Sequence, residues 1–325
     1  MKEVDQVTNI KRINSFDKLI VVGGFLTACA SNAAWASKIF PQLDLLVHFQ
    51  VQYAWTMLLC ILILLYRRVF ACAIILILFL LFPLVRIAPL YFSTPQSSAA
   101  PALNILSSNV RYTNKNYSSF IDTVNAIKPD IVVVQEATNN WNDALSEIHH
   151  DYPFRILHPE PGPRGMLLFS KTPLIEPKTV IHPLTKHTTL STKIQLGDCL
   201  VHLIAAHPFR PGLRHGDRNL NKELKAIAEL VGANSVHTVV IGDLNTTMWS
   251  KTYIDFVDTC DLSNLRQGRG VLPSWSRVIP WISAIPIDHC LVGDGLEGTS
   301  FRLLPIKGSD HRAMQAVIQV AITME

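Results

Sequence analysis

Val239-Val240-Ile241-Gly242-Asp243-Leu244-Asn245 reads as a buried strand with chemistry at its end. Three β-branched residues favour an extended chain, and a glycine followed by an acid marks where it stops. Side chains two apart in a strand face the same way, so Asp243 and Asn245 are expected to point together into one cleft. A carboxylate beside a carboxamide suits a site that must handle a metal ion, a water and a phosphate.

The same pattern recurs along residues 102–325. Leu103–Val110 predicts a strand ending at Asn109, and Ile131–Val134 runs into Gln135-Glu136. Ile204-Ala205-Ala206 runs into His207, Ile285-Pro286-Ile287 into Asp288-His289, and Gly308-Ser309 into Asp310-His311. Taken singly, each polar residue is an ordinary cap or turn residue. Gathered in one α/β domain, strand ends are where ligands bind. Glu136 directly after a β-branched run is costly unless paired, and a hard divalent cation is a suitable partner. Asp288 is expected to pair with His311 across strands, fixing its tautomer and raising its basicity. His289, alternating away, is then structural. Arg210, Arg214 and Arg218 crowd the segment after His207 and are candidates to grip phosphate. The other histidines are single and read mostly as loop or surface residues.

Composition divides the chain. Of 325 residues, 49% are hydrophobic and only 17% charged, and the long apolar runs fall in the first 100. Those 100 residues carry eight Lys/Arg against four Asp/Glu, while the rest carries 21 of each. The formal charge of +4 therefore belongs to the first part. A neutral globular domain argues against a strong non-specific nucleic-acid binder. The runs 19–37, 45–66 and 69–90 predict three membrane-spanning helices within a membrane region, 1–92. Basic residues before the first run and Arg67-Arg68 between the second and third place those ends in the cytoplasm. The globular domain then lies on the extracytoplasmic side of the membrane. A rival reading makes the first run a signal peptide cleaved near Ala34-Trp35-Ala36. Residues 93–101 read as a linker and 102–325 as the globular domain. Six cysteines in no metal-finger spacing predict buried thiols, with one bridge as the alternative.

Within the domain, helices are expected at 118–127, 140–149, 217–231 (capped by Asp217) and 250–259. Strands are expected near 153–157, 166–170, 188–196, 199–206, 238–242, 285–292, 299–304 and 313–320. Adjacent strands in the middle with helices at either side predict two sheets covered by helices.

Ser108-Asn109-Val110, Gln135-Glu136, His207-Pro208, Gly242-Asp243-Leu244-Asn245, Ser274-Trp275, Ile287-Asp288-His289 and Ser309-Asp310-His311, in that order, resemble the endonuclease/exonuclease/phosphatase superfamily, of DNase-like fold. The membrane spans resemble a bacterial, membrane-anchored branch of it. The resemblance implies an α/β class fold, a four-layer α/β/β/α sandwich, and phosphoester hydrolysis that uses Mg²⁺ (or Mn²⁺). It implies that Glu136 ligates the metal with support from Asn109 and Asp310. Asp243 orients or deprotonates the attacking water, Asn245 holds phosphoryl oxygens, and His207 stabilises charge or assists the leaving group. His311, set by Asp288, contacts phosphate or serves as base. Some relatives place a tyrosine between the Glu and His motifs; Tyr152 stands there in a different context. The expected partners are a phosphoester substrate, such as a lipid, and the bilayer. A periplasmic nuclease is the alternative, and a non-catalytic membrane scaffold the second. No feature identifies a protein partner.

Overall fold

Strand alternation sorts the apolar residues of the second part into three layers. In the computed structural model, which describes residues 14–33, 40–92, 101–212, 216–233, 235–276 and 282–321, β1 (Ala102–Asn109) and β2 (Ile131–Gln135) run parallel. Ile105, Ile131 and Val133 point one way, while Leu106, Val132 and Val134 point the other. The first set meets Leu203, Ala205, Val239 and Ile241 from a second sheet. The other set meets Phe120, Ile121 and Val124 of α4 (Tyr117–Ile127) and Trp141 of α5 (Asn139–Ala144). The second sheet's other face, with Ile204 and Val240, packs on α6 (Gly216–Val231) and α7 (Lys251–Cys260). Burying each such aliphatic side chain contributes about 1.5–3 kcal/mol. The result is the expected four-layer α/β/β/α sandwich.

The remaining strands are β3 (Phe154–His158), β4 (Met166–Ser170), β5 (Ile175–Ile181), β6 (Thr188–Leu196), β7 (Cys199–Ala206), β8 (Thr238–Asp243), β9 (Ser263–Asn264), β10 (Asp288–Val292), β11 (Leu296–Pro305) and β12 (Arg312–Val320). One sheet has the order β11-β12-β1-β2-β4-β3, the other β5-β6-β7-β8-β10-β9. This topology gathers the site. β1 and β2 are parallel, as are β7 and β8, so their carboxyl ends share one edge. β12 runs antiparallel to β1, and β10 to β8, so their starts lie at that edge. Asp288 therefore opens β10 rather than ending a strand at 285–292, and His311 stands just before β12.

Several expectations shift. The helix at 140–149 shortens to α5 followed by a 3₁₀ turn, Leu145–Ile148. α6 already begins at Gly216, so Asp217 lies inside its first turn instead of capping it. β5 was not expected: its side chains are nearly all exposed, so an edge strand shows no apolar alternation. All six cysteines are free, and Cys260 and Cys290 are buried.

The chain divides into two compact units, residues 1–88 and 89–325. In the first, α1 (Ser15–Asn32), α2 (Gln50–Tyr66, preceded by a 3₁₀ stretch from Pro41) and α3 (Phe70–Ile87) pack through Cys60, Ile61, Leu64, Ala73 and Leu76. Gly24 admits α3, since a Cβ there would sit 2.6 Å from a methyl of Leu76. Asp17 pairs with Arg67 at 2.9 Å, and Gln50 bonds to Ser31 at 2.9 Å. Among the described residues, two segments are long and apolar enough to cross a membrane, Leu43–Tyr66 and Phe70–Leu90. α1 is less apolar because Gly23, Gly24, Thr27, Ser31 and Asn32 interrupt it, and part of the expected 19–37 span falls outside the described residues.

Candidate active site

Asp243 Oδ2 is the atom on which the site converges. It accepts a hydrogen bond from Asn109 Nδ2 at 3.0 Å and lies 3.6 Å from Nε2 of both His207 and His311. Oδ1 accepts the Asn245 backbone N–H at 2.9 Å. Gly242 makes this possible. Its φ is +143°, and a Cβ would stand 2.1 Å from the Ala206 carbonyl oxygen, so only glycine lets β8 approach β7 here. Asp288 sits directly opposite Asp243 in the β8–β10 register. Two carboxylates so placed repel, and the His311 ring lies between them, its Nδ1 3.0 Å from Asp288 Oδ2 and its Nε2 towards Asp243. That pair joins the two sheets.

Electrostatics follow from burial and neighbours. Burial works against a charge on His311, but Asp288, Asp243 and the Asp288 hydrogen bond outweigh it, raising its pKa to about 10. Burial, with Asp288 adding to it, raises Asp243 to about 7 although His311 pulls it down. Burial also works against Asp288, whose pKa nevertheless falls because of His311 and a bond from Ser274. Ser274 Oγ also accepts the backbone N–H of Ile287 and Asp288, at 3.1 and 3.0 Å. The buried Arg266 guanidinium donates to the Asp288 carbonyl at 2.5 Å and to Val271 at 2.9 Å. His207 is driven to about 4, by burial and then by His311, and is neutral at pH 7.

Asn109 bridges to the other wall, since its Nδ2 also donates to Glu136 Oε1 at 3.0 Å. Glu136 Oε2 accepts the Tyr112 backbone N–H at 3.0 Å. Glu136 occupies the left-handed region, φ 59°, an arrangement that costs energy and recurs at functional sites. Asp310 accepts a bond from Trp275 Nε1 at 3.2 Å and lies 3.9 Å from Arg111 Nε. Glu136, Asp310 and the Asn109 side-chain oxygen, which accepts the Arg111 backbone N–H at 3.0 Å, are oxygen donors of the kind that hard divalent cations prefer. Among the described residues, the one tight cluster of three ligand-type side chains is Asp243, Asp288 and His311, and their facing atoms already engage one another.

The structure brings together Asn109, Glu136, His207, Asp243, Asp288 and His311. Asn245 differs from expectation: β8 ends at Asp243, and Asn245 turns into the left-handed region with φ 53°. It reaches the site through an Asx turn rather than by strand alternation, and its Nδ2 donates to the Pro208 carbonyl at 2.9 Å. Arg210 and Arg218 are exposed, with no bond to the cleft among the described residues, and Arg214 lies outside those residues. Their crowding in sequence does not carry into the cleft because Arg210 belongs to a loop and Arg218 to α6. His289, as expected, faces away: its Nε2 bonds to the Thr246 carbonyl at 2.8 Å and its ring lies 4.7 Å from Tyr253. Tyr152 is a core residue that donates to the Pro129 carbonyl at 2.8 Å.

Two residues beside the cleft, His187 and Arg111, were not singled out from sequence, and Trp275 was quoted only within a motif and given no role. His187 Nδ1 bonds to the His207 carbonyl at 2.8 Å, with the rings 5.3 Å apart. Arg111 faces Asp310, and Trp275 holds it. Ser274-Trp275 and Asn109-Val110-Arg111 were the available signals; His187 had none.

The four-layer sandwich is of the DNase-like class, whose superfamily members are phosphoester-hydrolysing enzymes. The chain belongs to the endonuclease/exonuclease/phosphatase family, whose model matches residues 103–311. No curated protein matches the sequence. Among solved structures, zebrafish TDP2 complexed with single-strand DNA product aligns with a TM-score of 0.57 at 15% identity, covering 67% of this chain and 99% of that one. An endonuclease/exonuclease/phosphatase from Beutenbergia cavernae gives 0.55 at 14%, covering 68% and 72%. The human Nocturnin catalytic domain with bound sulfate gives 0.55 at 14%, covering 69% and 97%. At these identities the likeness extends to the fold.

Proposed function

We propose that this protein is a membrane-anchored, divalent-metal-dependent phosphoesterase acting outside the cytoplasm. The observation that carries the reading is the convergence of Asn109, His207 and His311 on Asp243 Oδ2, at 3.0, 3.6 and 3.6 Å. Glu136, with Asn109 and Asp310, would hold the cation, which supplies charge to polarise the phosphoryl group. Asp243 orients the attacking water and takes its proton. Its pKa of about 7, raised by burial and by Asp288 against the pull of His311, is near that of an effective base. His311 stays protonated between two carboxylates, so it donates to the phosphoryl oxygens rather than acting as base. His207, neutral, donates one hydrogen bond on the leaving-group side, and the partly exposed Asn245 amide offers its remaining N–H to the phosphate.

Anchoring rests on the two long apolar helices and on α1, which is tied to them by Asp17–Arg67 and Ser31–Gln50. Those ties favour a retained third helix over a cleaved signal peptide. The basic turn Arg67-Arg68 supports a cytoplasmic loop and an external catalytic domain. A nuclease reading is favoured by the DNA in the zebrafish neighbour and opposed by the neutral domain. Hydrolysis of bis-p-nitrophenyl phosphate with Mg²⁺ or Mn²⁺ against EDTA tests the activity, and folded protein inert with every divalent ion would leave the scaffold reading. A panel of phospholipids, DNA and RNA separates the substrates. An alkaline phosphatase fused to the carboxyl terminus is expected to be active; a silent fusion reverses the orientation.

A further inference from the structure

Among the described residues from 101 onward, the four most exposed large apolar side chains are Leu184 at 69%, Ile282 at 63%, Ile181 at 48% and Tyr112 at 45%. Single exposed apolar residues are commonplace on a soluble surface. These four share a feature: each stands on, or next to, a loop bonded to a residue of the cleft. Ile181 ends β5, and Leu184 lies on the β5–β6 turn that follows it, closed by mutual backbone bonds of His182 with His187 and Lys186. That turn ends at His187, which holds the His207 carbonyl at 2.8 Å. Ile282 lies on the loop closed by paired bonds between Trp275 and Ile285 and by Ser276 with Ser283 at 3.2 Å. The same loop is fastened to the site by the Ser276 N–H on the Asp310 carbonyl at 3.1 Å. Tyr112 presents its backbone N–H to Glu136.

Charge singles out two of the same loops. No acid occurs between Glu176 and Asp198 or between Asn109 and Asp122, whereas Lys178, Lys186, Arg111 and Lys115 do. The domain as a whole is neutral, so its acids lie elsewhere. Exposed aliphatic and tyrosyl side chains interleaved with Lys and Arg suit the boundary of an anionic bilayer, where apolar tips enter the acyl region and cations meet headgroups.

We infer that the rim of the cleft docks on a lipid surface, and that the substrate is a phosphoester held in that surface. The inference rests on the phosphoesterase reading above. A bilayer is the occupant favoured over nucleic acid because a phosphate backbone gives aliphatic tips nothing to bury in. The membrane anchoring proposed above is a second reason to favour a lipid surface.

Two experiments on the full chain in phosphatidylcholine and phosphatidylglycerol vesicles test this. Leu184→Trp and Ile282→Trp each add an emission that lipids brominated in their acyl chains should quench at least twofold relative to wild-type background; unquenched added emission in folded protein overturns the docking. Leu184→Asp combined with Ile282→Asp should lower hydrolysis of vesicle phosphoester tenfold or more while leaving bis-p-nitrophenyl phosphate turnover within twofold. Equal effects on both substrates overturn the inference. Wild-type protein that cleaves the soluble diester or DNA but no vesicle phosphoester also overturns it and leaves the phosphoesterase reading intact. If no diester is turned over at all, that reading falls, and the quenching result still decides the docking.

Discussion

On one wall of the cleft, Asp243, Asp288, His207 and His311 are 1–6% exposed, and the contacts that link them are 3.0–3.6 Å. On the other wall, Glu136 is half-buried and Asp310 is 20% exposed, with oxygens bonded to single N–H donors. The dry wall is a fixed charge arrangement: a cation between two carboxylates, with the Asp288–His311–Asp243 contacts in place before any substrate arrives. The wet wall keeps oxygen lone pairs for something that arrives with its own water. Fixed dipoles and charges in a water-poor site are worth more than the same groups in solvent. A hydrated dication is better served by accessible carboxylates. On the proposed function, proton transfer and phosphate stabilisation would fall to the first wall and metal capture to the second.

The largest blow to that division should come from the dry wall. Asp243→Asn is expected to cut bis-p-nitrophenyl phosphate turnover by about 10³-fold or more, with the circular-dichroism spectrum and melting temperature retained. Activity within a few-fold of wild type would erase the assigned role. His311→Ala should also abolish most turnover, and Asp288→Asn should act in the same direction through His311. Next in size is the wet wall. Glu136→Ala is expected to raise the Mg²⁺ concentration giving half-maximal rate by about 10- to 100-fold, measured by metal titration, and excess Mn²⁺ should recover part of the rate. A titration midpoint that does not move would place the metal elsewhere.

A third test separates the two Asp-His dipeptides. Asp288 and His311 face the cleft, whereas His289 is buried against Thr246, Tyr253 and Asn264, its pKa driven to about 3 by burial and by Arg266. His289→Ala should cost about 2–4 kcal/mol of stability while changing turnover per folded molecule by less than tenfold. Loss of activity without loss of stability would reverse the roles of the dipeptides.

The smallest expected effect concerns Glu223 of α6, which is buried and accepts the Phe209 backbone N–H at 3.0 Å. Burial raises its pKa from 4.5 to about 7, more than the Thr185 and Phe209 bonds lower it. Between those values the unfolded chain binds fewer protons than the folded one, so this group's contribution to stability is complete below pH 4.5 and is lost as pH rises through 7. Glu223→Gln should remove that decline, so variant and wild type diverge from pH 5 to 8 by up to roughly 3 kcal/mol. Parallel melting temperatures across that range would refute it.

Much of this was legible in the chain. Apolar runs ending in Asn109, Glu136, His207 and Asp243 marked strand ends, and the Asp288–His311 pair followed from an acid able to orient a ring. What stayed hidden depended on topology. That Asp288 and His311 stand at strand beginnings follows from β10 and β12 running antiparallel to their neighbours, which no local pattern records. Asn245 left the strand through a left-handed turn, where alternation stops applying. His187 reaches His207 only because the β5–β6 turn folds over, and β5 itself is an exposed edge strand. The arginines after His207 looked clustered because sequence proximity ignores the break between loop and helix.

The most direct measurement is the rate of bis-p-nitrophenyl phosphate hydrolysis by the purified full chain as Mg²⁺ is titrated in and then stripped with EDTA, with Asp243→Asn alongside. Turnover that saturates with Mg²⁺, vanishes with EDTA and is absent from Asp243→Asn at every concentration is the predicted result. Hydrolysis that survives EDTA, or that Asp243→Asn carries out at the wild-type rate, would contradict a metal-assisted site centred on Asp243.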